Sequence, residues 1–132
     1  MATAIGAVGQ QAVRTFYSEQ LVGKMPADTT LELVSRTESG NQVVDEFVLR
    51  FTHDVEIRFM LPGVPPTGRV VELPHVAVVR FEGEKIVSEH IYWDQASLLA
   101  QVGLLEPASV PGVTGAEQAE RLRAVSRSHG SP

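Results

Sequence analysis

Polar side chains occupy every second position near the end of one alternating segment of the chain. They are Ser88, His90, Tyr92 and Asp94. In a β-strand these four project to one face and form either a solvent face or the wet lining of a pocket. At roughly 3.3 Å per residue, His90 and Asp94 lie about 13 Å apart, too far for a direct dyad. Both are candidate catalytic residues that need partners from neighbouring strands.

Asp94 has two alternative roles. It directly precedes a helical pattern from Ser97 to Val102, where an aspartate side chain caps the first backbone N–H groups. Alternatively, an apolar pocket raises its pKa, and the carboxyl group moves a proton between carbon and oxygen or assists ring closure. The two roles exclude each other only if backbone amides occupy the carboxylate fully.

Two further histidines fall on apolar faces of predicted strands. His53 is a candidate catalytic residue because the unperturbed pKa of histidine lies close to neutrality. The alternative is a structural histidine bonded to a backbone carbonyl. His75 follows Pro74 and shares its face with Ala77, so we predict a substrate-binding role. His53 or His90 would hydrogen-bond a developing oxyanion.

Aromatic residues are the predicted lining of an apolar pocket, together with His75. These candidate substrate-binding residues are Phe47, Phe51, Phe59, Tyr92 and Trp93. A pocket of this kind suits an apolar small molecule.

Metal and cofactor chemistry finds no support in the sequence. Potential metal ligands exist but lack a recognised spacing: His53, Asp54, Glu56, His75, Glu89 and His90. The Gly-x-Ser-x-Gly and Gly-x-Gly-x-x-Gly motifs are absent. We therefore predict no metal and no organic cofactor.

Composition indicates one globular domain, since the chain has 132 residues of which 43% are hydrophobic. The net charge is -5, with 16 acidic and 11 basic residues and no basic cluster, so nucleic acid is not an expected partner. Cysteine is absent, which fits a reducing compartment. With no signal peptide or membrane-spanning run visible, we expect a cytoplasmic protein with no membrane partner.

Periodicity and turn residues predict the elements that position these side chains. The predicted helices are Gly9 to Met25, Ser97 to Val102 and Gly115 to Val125. The predicted strands are Thr30 to Thr37, Val43 to Met60 with a bend near His53, Val70 to Phe81 interrupted at Pro74, and Lys85 to Trp93. A rigid loop covers Leu61 to Gly68. This order indicates an α+β fold in residues 1–126, followed by a disordered tail in 127–132.

Four stretches of the sheet and its turns carry a family resemblance. They are Leu61-Pro-Gly-Val-Pro-Pro-Thr-Gly-Arg69, Val79-Arg-Phe-Glu-Gly-Glu-Lys-Ile86, Glu89-His-Ile-Tyr-Trp-Asp94 and Gln101-Val-Gly-Leu-Leu105. In this order they resemble the SnoaL-like polyketide cyclase family of the nuclear transport factor 2-like superfamily. The resemblance spans roughly Thr3 to Leu122.

The resemblance implies a strongly curved antiparallel sheet, a cone or half-barrel around a pocket, packed with α-helices. It also implies that an aspartate acts as general acid/base on an enolisable polycyclic substrate, without metal or organic cofactor, and Asp94 is the matching position. Family members usually begin with two helices and a short strand ahead of the Gly-x-x-x-Val-x-x-Phe-Tyr helix, and this chain starts near that helix. Part of the cone wall is then missing, supplied by a partner subunit or replaced by other packing.

Three functions remain open. The first is cofactor-independent cyclisation or isomerisation of a polyketide-like or other apolar enolisable substrate. The second is a limonene-type epoxide hydrolase, which activates water with carboxylates bridged by an arginine; Arg50, Arg58 and Arg80 lie on strands, but residues 89–94 lack that signature. The third is a non-catalytic ligand-binding or dimerisation module. A homodimer is expected in each case, because a bent sheet with few covering helices exposes an apolar face.

Overall fold

A four-stranded antiparallel sheet forms the centre of the computed structural model, which describes residues 6–128. Its strands are β1 (Thr30–Ser39), β2 (Gln42–Thr52), β3 (Val70–Glu82) and β4 (Lys85–Trp93). Each strand pairs with the next one along the chain, and within the described residues β1 and β4 are the edges of an open sheet.

Three α-helices accompany the sheet in the described part of the chain, α1 (Gly6–Thr15), α2 (Gln95–Gln101) and α3 (Glu117–Ser128). The first continues as a π-helical turn, Phe16–Leu21, and a 3₁₀ turn, Val22–Lys24, where the sequence predicted one regular helix. A Cβ on Gly23 would lie 2.9 Å from the backbone oxygen of Ser18, so this close approach favours glycine. The predicted α+β fold is confirmed. None of the helices within residues 6–128 has the length and apolar character needed to cross a bilayer.

The register gives the sheet two distinct faces. On β2 and β3 the odd-numbered positions are buried, and with Val13, Tyr17 and Leu21 of the first helical segment they form the hydrophobic core. We call this side the inner face. On the opposite, outer face, Arg123 of α3 donates to Glu32 of β1 and Glu72 of β3, each at 2.9 Å. Both faces of the sheet therefore carry a helical cover.

Pro74 does not interrupt β3, contrary to the sequence prediction. The backbone N–H and C=O of Glu72 both hydrogen-bond the side-chain amide of Gln101, each at 2.9 Å. These bonds lie on the edge of β3 that pairs with β4 further along the strand. Because backbone polar groups of residues two apart point the same way, the missing N–H of Pro74 faces that side too. The last pair between the strands is His75 with Trp93, so Pro74 stands beyond the end of β4, where no ladder bond is lost.

β2 is shorter than predicted, since it ends at Thr52 rather than Met60. The Asp28 carboxylate accepts hydrogen bonds from the backbone N–H and the hydroxyl of Thr52, at 3.0 and 2.6 Å. The chain then turns over Ile57, whose carbonyl accepts from the N–H groups of Met60 and Leu61. These bonds take the place of further strand pairing by β2, and the loop predicted over Leu61 to Gly68 follows.

The C-terminal helix extends into the segment that was predicted to be a disordered tail. Helix α3 ends at Ser128, so residues 127–128 of the predicted disordered tail are helical. Residues 129–132 of that tail lie outside the described part of the chain.

Candidate active site

Six aromatic rings form a continuous series across the inner face. In order they are Phe16, Tyr17, Phe47, His75, Trp93 and Phe59, with centroid separations of 5.5, 5.3, 5.3, 5.6 and 6.2 Å. We call this the ring series. Its members come from the π-helical turn, β2, β3, β4 and the loop after β2, so it ties the helical cover to the sheet. Ring pairs at these separations are mutually attractive beyond the area that they bury.

Both ends of the ring series reach one surface groove. The groove has a volume of about 290 Å³ and is lined by Phe16, Gln20, Leu21 and Lys24 of the first helical segment, Glu89, Ile91 and Trp93 of β4, and Phe59. We call it the aromatic groove. It is largely apolar with a few polar groups, which is the usual character of a small-molecule site.

Two opposite charges line the aromatic groove. Glu89 and Lys24 are both exposed, and within the described residues neither side chain makes a hydrogen bond or an ion pair. Sequence analysis missed both as functional residues. The signal for Glu89 was its alternation with Ile91 and Trp93, whereas nothing in the sequence linked Lys24 to β4. A carboxylate and an ammonium beside an aromatic wall can take up a proton and stabilise an oxyanion.

Trp93 forms the wall of the groove in a fixed orientation. Its indole N–H donates to Oε1 of Gln95 at 2.7 Å, and the Gln95 amide donates to the carbonyl of Met60 at 2.9 Å. The start of α2 and the loop after β2 thus hold the same ring. Phe59 packs edge-on against that ring and is 41% exposed.

His75 stands behind Trp93 and is only 1% exposed. Its Nδ1 lies 2.9 Å from the carbonyl oxygen of Leu73, which can only accept, so Nδ1 carries the proton. Nε2 is then an acceptor, and no described residue donates to it. Burial lowers the pKa of His75 to about 4, which keeps the ring neutral at pH 7.

The buried His75 predicts a loss of stability in acid. The unfolded chain takes up a proton on this imidazole below about pH 6.5, whereas the folded chain does so only near pH 4. Stability is therefore complete above pH 6.5 and falls as the pH drops towards 4. Between pH 7 and 4.5, urea denaturation should show about 2 to 3 kcal/mol less loss for His75→Phe than for the native chain.

The matched control for this measurement is His90→Phe on the exposed outer face, which should keep the full acid loss. An unchanged pH dependence in His75→Phe would contradict the assignment of a buried neutral imidazole.

Asp94 caps α2, as one of its two predicted roles required. Its Oδ1 accepts from the backbone N–H of Ser97 at 3.1 Å, and its Oδ2 accepts from the Gln118 side chain at 2.8 Å. These hydrogen bonds, the one from Gln118 foremost, hold the pKa of Asp94 below its ordinary value. The predicted rise of this pKa is therefore wrong. The exposed carboxylate does not line the aromatic groove but a second depression, of about 320 Å³, whose lining also includes His75, Tyr92, Trp93 and Gln118.

The other predicted catalytic residues do not converge with Asp94. His53 is buried, its Nδ1 accepts from the Thr67 backbone N–H at 3.2 Å, its Nε2 has no partner among the described residues, and burial lowers its pKa. His90 is exposed on the outer face, where its ring stacks on that of Tyr92 at 6.5 Å. The three candidates thus occupy separate places.

The predicted substrate-binding residues divide between core, groove and surface. Phe47 and Phe51 are fully buried in the core, while Phe59 and Trp93 line the aromatic groove. Tyr92 is 58% exposed and does not line the aromatic groove, but together with His75 and Trp93 it lines the depression that also holds Asp94.

A buried polar cluster on the inner face was not foreseen. The Arg36 guanidinium donates to both oxygens of Asp45, at 2.8 and 2.9 Å, and the Tyr17 hydroxyl donates to the same carboxylate at 2.6 Å. The bond to Asp45 raises the pKa of Arg36, and burial raises the pKa of Tyr17. Because Asp45 has both oxygens occupied, it is poorly placed to activate water.

The arginines considered for an epoxide hydrolase lie elsewhere. Arg50 is exposed, Arg58 is 4.0 Å from the exposed Glu56, and Arg80 donates to Gln42. None of them bridges two carboxylates in the described chain. Within the same residues, no group of three or more His, Asp or Glu side chains is arranged to hold a metal ion.

Comparison with known proteins gives a family match. The family model of the SnoaL-like domain matches residues 2–89. AclR from Streptomyces galilaeus, a candidate hydroxylase, is 27% identical, with a TM-score of 0.55 over 67% of this chain and 65% of AclR. IdmH from Streptomyces antibioticus, a candidate polyketide cyclase, is 31% identical, with a TM-score of 0.50 over 64% of this chain and 58% of IdmH.

A third structure supports the fold alone. It is a candidate SnoaL-like polyketide cyclase from Jannaschia sp. CCS1, 17% identical, with a TM-score of 0.56 over 71% of this chain and 63% of its own. This chain thus spans less than two thirds of the length of all three relatives. No protein of curated function matches it. The resemblance seen in the sequence and the cone-type α+β fold that it implied are confirmed.

Proposed function

Since this chain belongs to the SnoaL-like domain family, we propose that it is a small-molecule enzyme that performs acid–base catalysis in the aromatic groove without a cofactor. The reaction is a cyclisation or isomerisation of an apolar, enolisable ring compound. The observation that carries this proposal is the ring series, which ends at the groove and faces Glu89 and Lys24. The likeness to IdmH, a candidate polyketide cyclase, supports cyclisation of a polyketide-like substrate.

Glu89 and Lys24 divide the chemistry between them. The Glu89 carboxylate removes a proton from the carbon next to a substrate carbonyl, and the electron pair of that C–H bond moves onto the carbonyl oxygen. The Lys24 ammonium stabilises the resulting enolate oxygen, and Glu89 returns the proton to carbon or passes it on after ring closure. Apolar rings of the substrate lie against Trp93 and Phe59.

Asp94 is not the base in this proposal, although it matches the catalytic position of the family. Its oxygens are engaged by Ser97 and Gln118, and its lowered pKa makes it a weaker base. Glu89 stands five residues earlier on β4, on the groove side of the sheet.

The second candidate function is ligand binding without catalysis. The exposure of Glu89 and Lys24 favours it, because a water-excluded site gives charged groups their largest effect on a reaction. The ketone β-tetralone, a compact bicyclic compound, separates the two functions. If the chain is an enzyme, it accelerates exchange of the α-hydrogens of the ketone in D₂O. If it only binds, the ketone quenches the fluorescence of Trp93 while the exchange stays at the buffer rate. The predicted homodimer and cytoplasmic location stay predictions.

Phe59→Ala should weaken the binding of β-tetralone about fivefold, because the loss of one aromatic contact costs about 1 kcal/mol. Trp93 is the single tryptophan of the chain, so its fluorescence reports directly on the groove. Val55→Ala is the matched control, since Val55 lies in the same segment and is 47% exposed, against 41% for Phe59, but does not line the groove. Equal affinities of the two variants would place the ligand elsewhere.

A further inference from the structure

Asp94 occupies the position that is catalytic in the family, yet it does not line the aromatic groove. Its backbone is extended, with φ −90° and ψ 101°, and its side chain caps α2 by accepting from the backbone N–H of Ser97 at 3.1 Å. The second carboxylate oxygen accepts from the Gln118 side chain of α3 at 2.8 Å. Asp94 thus fixes the point at which the chain leaves β4, after Trp93, and enters α2.

Gln95, the first residue of α2, links the two aromatic walls of the groove. Its side-chain oxygen accepts from the indole N–H of Trp93 at 2.7 Å, and its side-chain nitrogen donates to the carbonyl of Met60 at 2.9 Å. An indole N–H can only donate and a carbonyl can only accept, so a flipped amide would lose both bonds. Met60 directly follows Phe59, in the turn that is closed by the carbonyl of Ile57. Gln95 therefore ties the ring of Trp93 to the turn that carries Phe59.

This link bears on the angle between the two wall rings. The rings of Trp93 and Phe59 lie 6.2 Å apart, with their planes at 86° to each other. A planar ring that lies flat on one of them meets the other edge-on, and both arrangements are favourable between aromatic rings. Phe59 is 41% exposed and Trp93 is half-buried, so the protein packs against only part of each ring. Hydrogen bonding through Gln95 supplies the orientation that packing leaves open.

Building on the proposed function, we propose that Asp94 is a positioning residue, which caps α2 and so places Gln95 where it holds Trp93 and Phe59 at the angle that receives the substrate ring. The carboxylate takes no part in proton transfer. The position then needs a side-chain oxygen for the Ser97 N–H and a polar partner for Gln118. Asparagine meets both needs, because it caps helices as well as aspartate does and its amide can donate to the side-chain oxygen of a rotated Gln118.

Motion of the wall ring is the first measurement. Fluorescence anisotropy decay of Trp93, the single tryptophan, reports rotation of its ring on the nanosecond timescale. We expect no fast component in the native chain and in Asp94→Asn, but a fast component in Asp94→Ala and in Gln95→Met, which removes both hydrogen bonds of the link. The matched control is Glu106→Ala, which should behave as the native chain. It removes the carboxylate cap of the 3₁₀ turn Pro107–Ser109, outside the groove.

Ligand affinity is the second measurement. Isothermal titration calorimetry should show β-tetralone binding about fivefold more weakly to Asp94→Ala and Gln95→Met, the loss expected for one aromatic contact. Gln95→Met keeps the cap of α2, so it tests the link even where loss of the cap unfolds the chain. Asp94→Asn and Glu106→Ala should bind as the native chain does.

Exchange of the α-hydrogens of the ketone separates positioning from proton transfer. At saturating β-tetralone, Asp94→Asn should exchange within about twofold of the native rate, whereas loss of a general acid or base slows a reaction by about 10² or more. A slow Asp94→Asn overturns the positioning role and leaves the groove intact. The same holds if ring motion and affinity in Gln95→Met match those in Glu106→Ala. If the native chain does not bind the ketone at all, the proposed function fails, and this role fails with it.

Discussion

Glu89→Gln is expected to slow α-hydrogen exchange of β-tetralone by about 10² to 10⁴ relative to the native chain, the contribution usual for a positioned general base. The substitution preserves the size of the side chain but removes its capacity to accept a proton at neutral pH. Exchange is followed by proton NMR in D₂O as the α-hydrogen signals disappear. Ketone affinity, read from Trp93 fluorescence, should change little because the aromatic wall is untouched.

Stability should also be preserved in Glu89→Gln, since no hydrogen bond or ion pair engages this carboxylate in the described structure. Glu84→Gln provides the matched control: it makes the same chemical change on the exposed turn before β4, outside the groove. It should exchange at the native rate. If Glu89→Gln exchanges as fast as Glu84→Gln, Glu89 is not the base, and ligand binding without this chemistry becomes the better account.

Local sequence signals predicted the elements well because they depend on neighbouring residues only. Alternation predicted β1 and β4, and glycine marked the turns at Gly40 and Gly83, where φ is 59° and 62°. The cap role of Asp94 was likewise readable from its place before a helical pattern. The end of β2 was missed because the bonds that replace its ladder come from Asp28, far away in the sequence.

The candidate site was harder to predict because it depends on which face of the sheet the helices cover. Alternation correctly placed Glu89 and Trp93 on one face of the sheet and His90 and Asp94 on the other. It does not say which of these two faces packs against the core. The family resemblance read from the sequence drew attention to Asp94, whereas the first helical segment packs over the opposite face. Only the register and the position of that helix bring Lys24 to the same groove as Glu89.

A register shift in β1 hid the buried ion pair. Leu33 pairs with Phe47 on the inner face, and simple alternation would then place Arg36 on the outer face. The irregularity between Leu33 and Ser35 moves Arg36 opposite Asp45, on the inner face. Nothing in the β1 sequence marks this bulge, so no pattern argument could have paired these two residues.

Arg36→Met should lower the free energy of unfolding by about 3 to 5 kcal/mol, the cost usual for removing one partner of a buried ion pair. Asp45 is 0% exposed and would keep only the hydrogen bond from Tyr17. Methionine replaces the aliphatic part of arginine, so the loss reflects the missing charge more than missing packing. Urea denaturation at pH 7, analysed as a two-state transition, measures the effect.

Two further variants decide whether the isolated carboxylate is the cause. Arg36→Met combined with Asp45→Asn should recover a large part of the loss, because a buried neutral amide needs no counter-ion and its oxygen still accepts from Tyr17. Arg50→Met, the same change at an exposed position of β2, should stay within about 0.5 kcal/mol of the native chain. A double variant no more stable than Arg36→Met alone would show that Arg36 stabilises the fold through packing. The charge pairing between Arg36 and Asp45 would then not be what holds the first helical segment to the sheet.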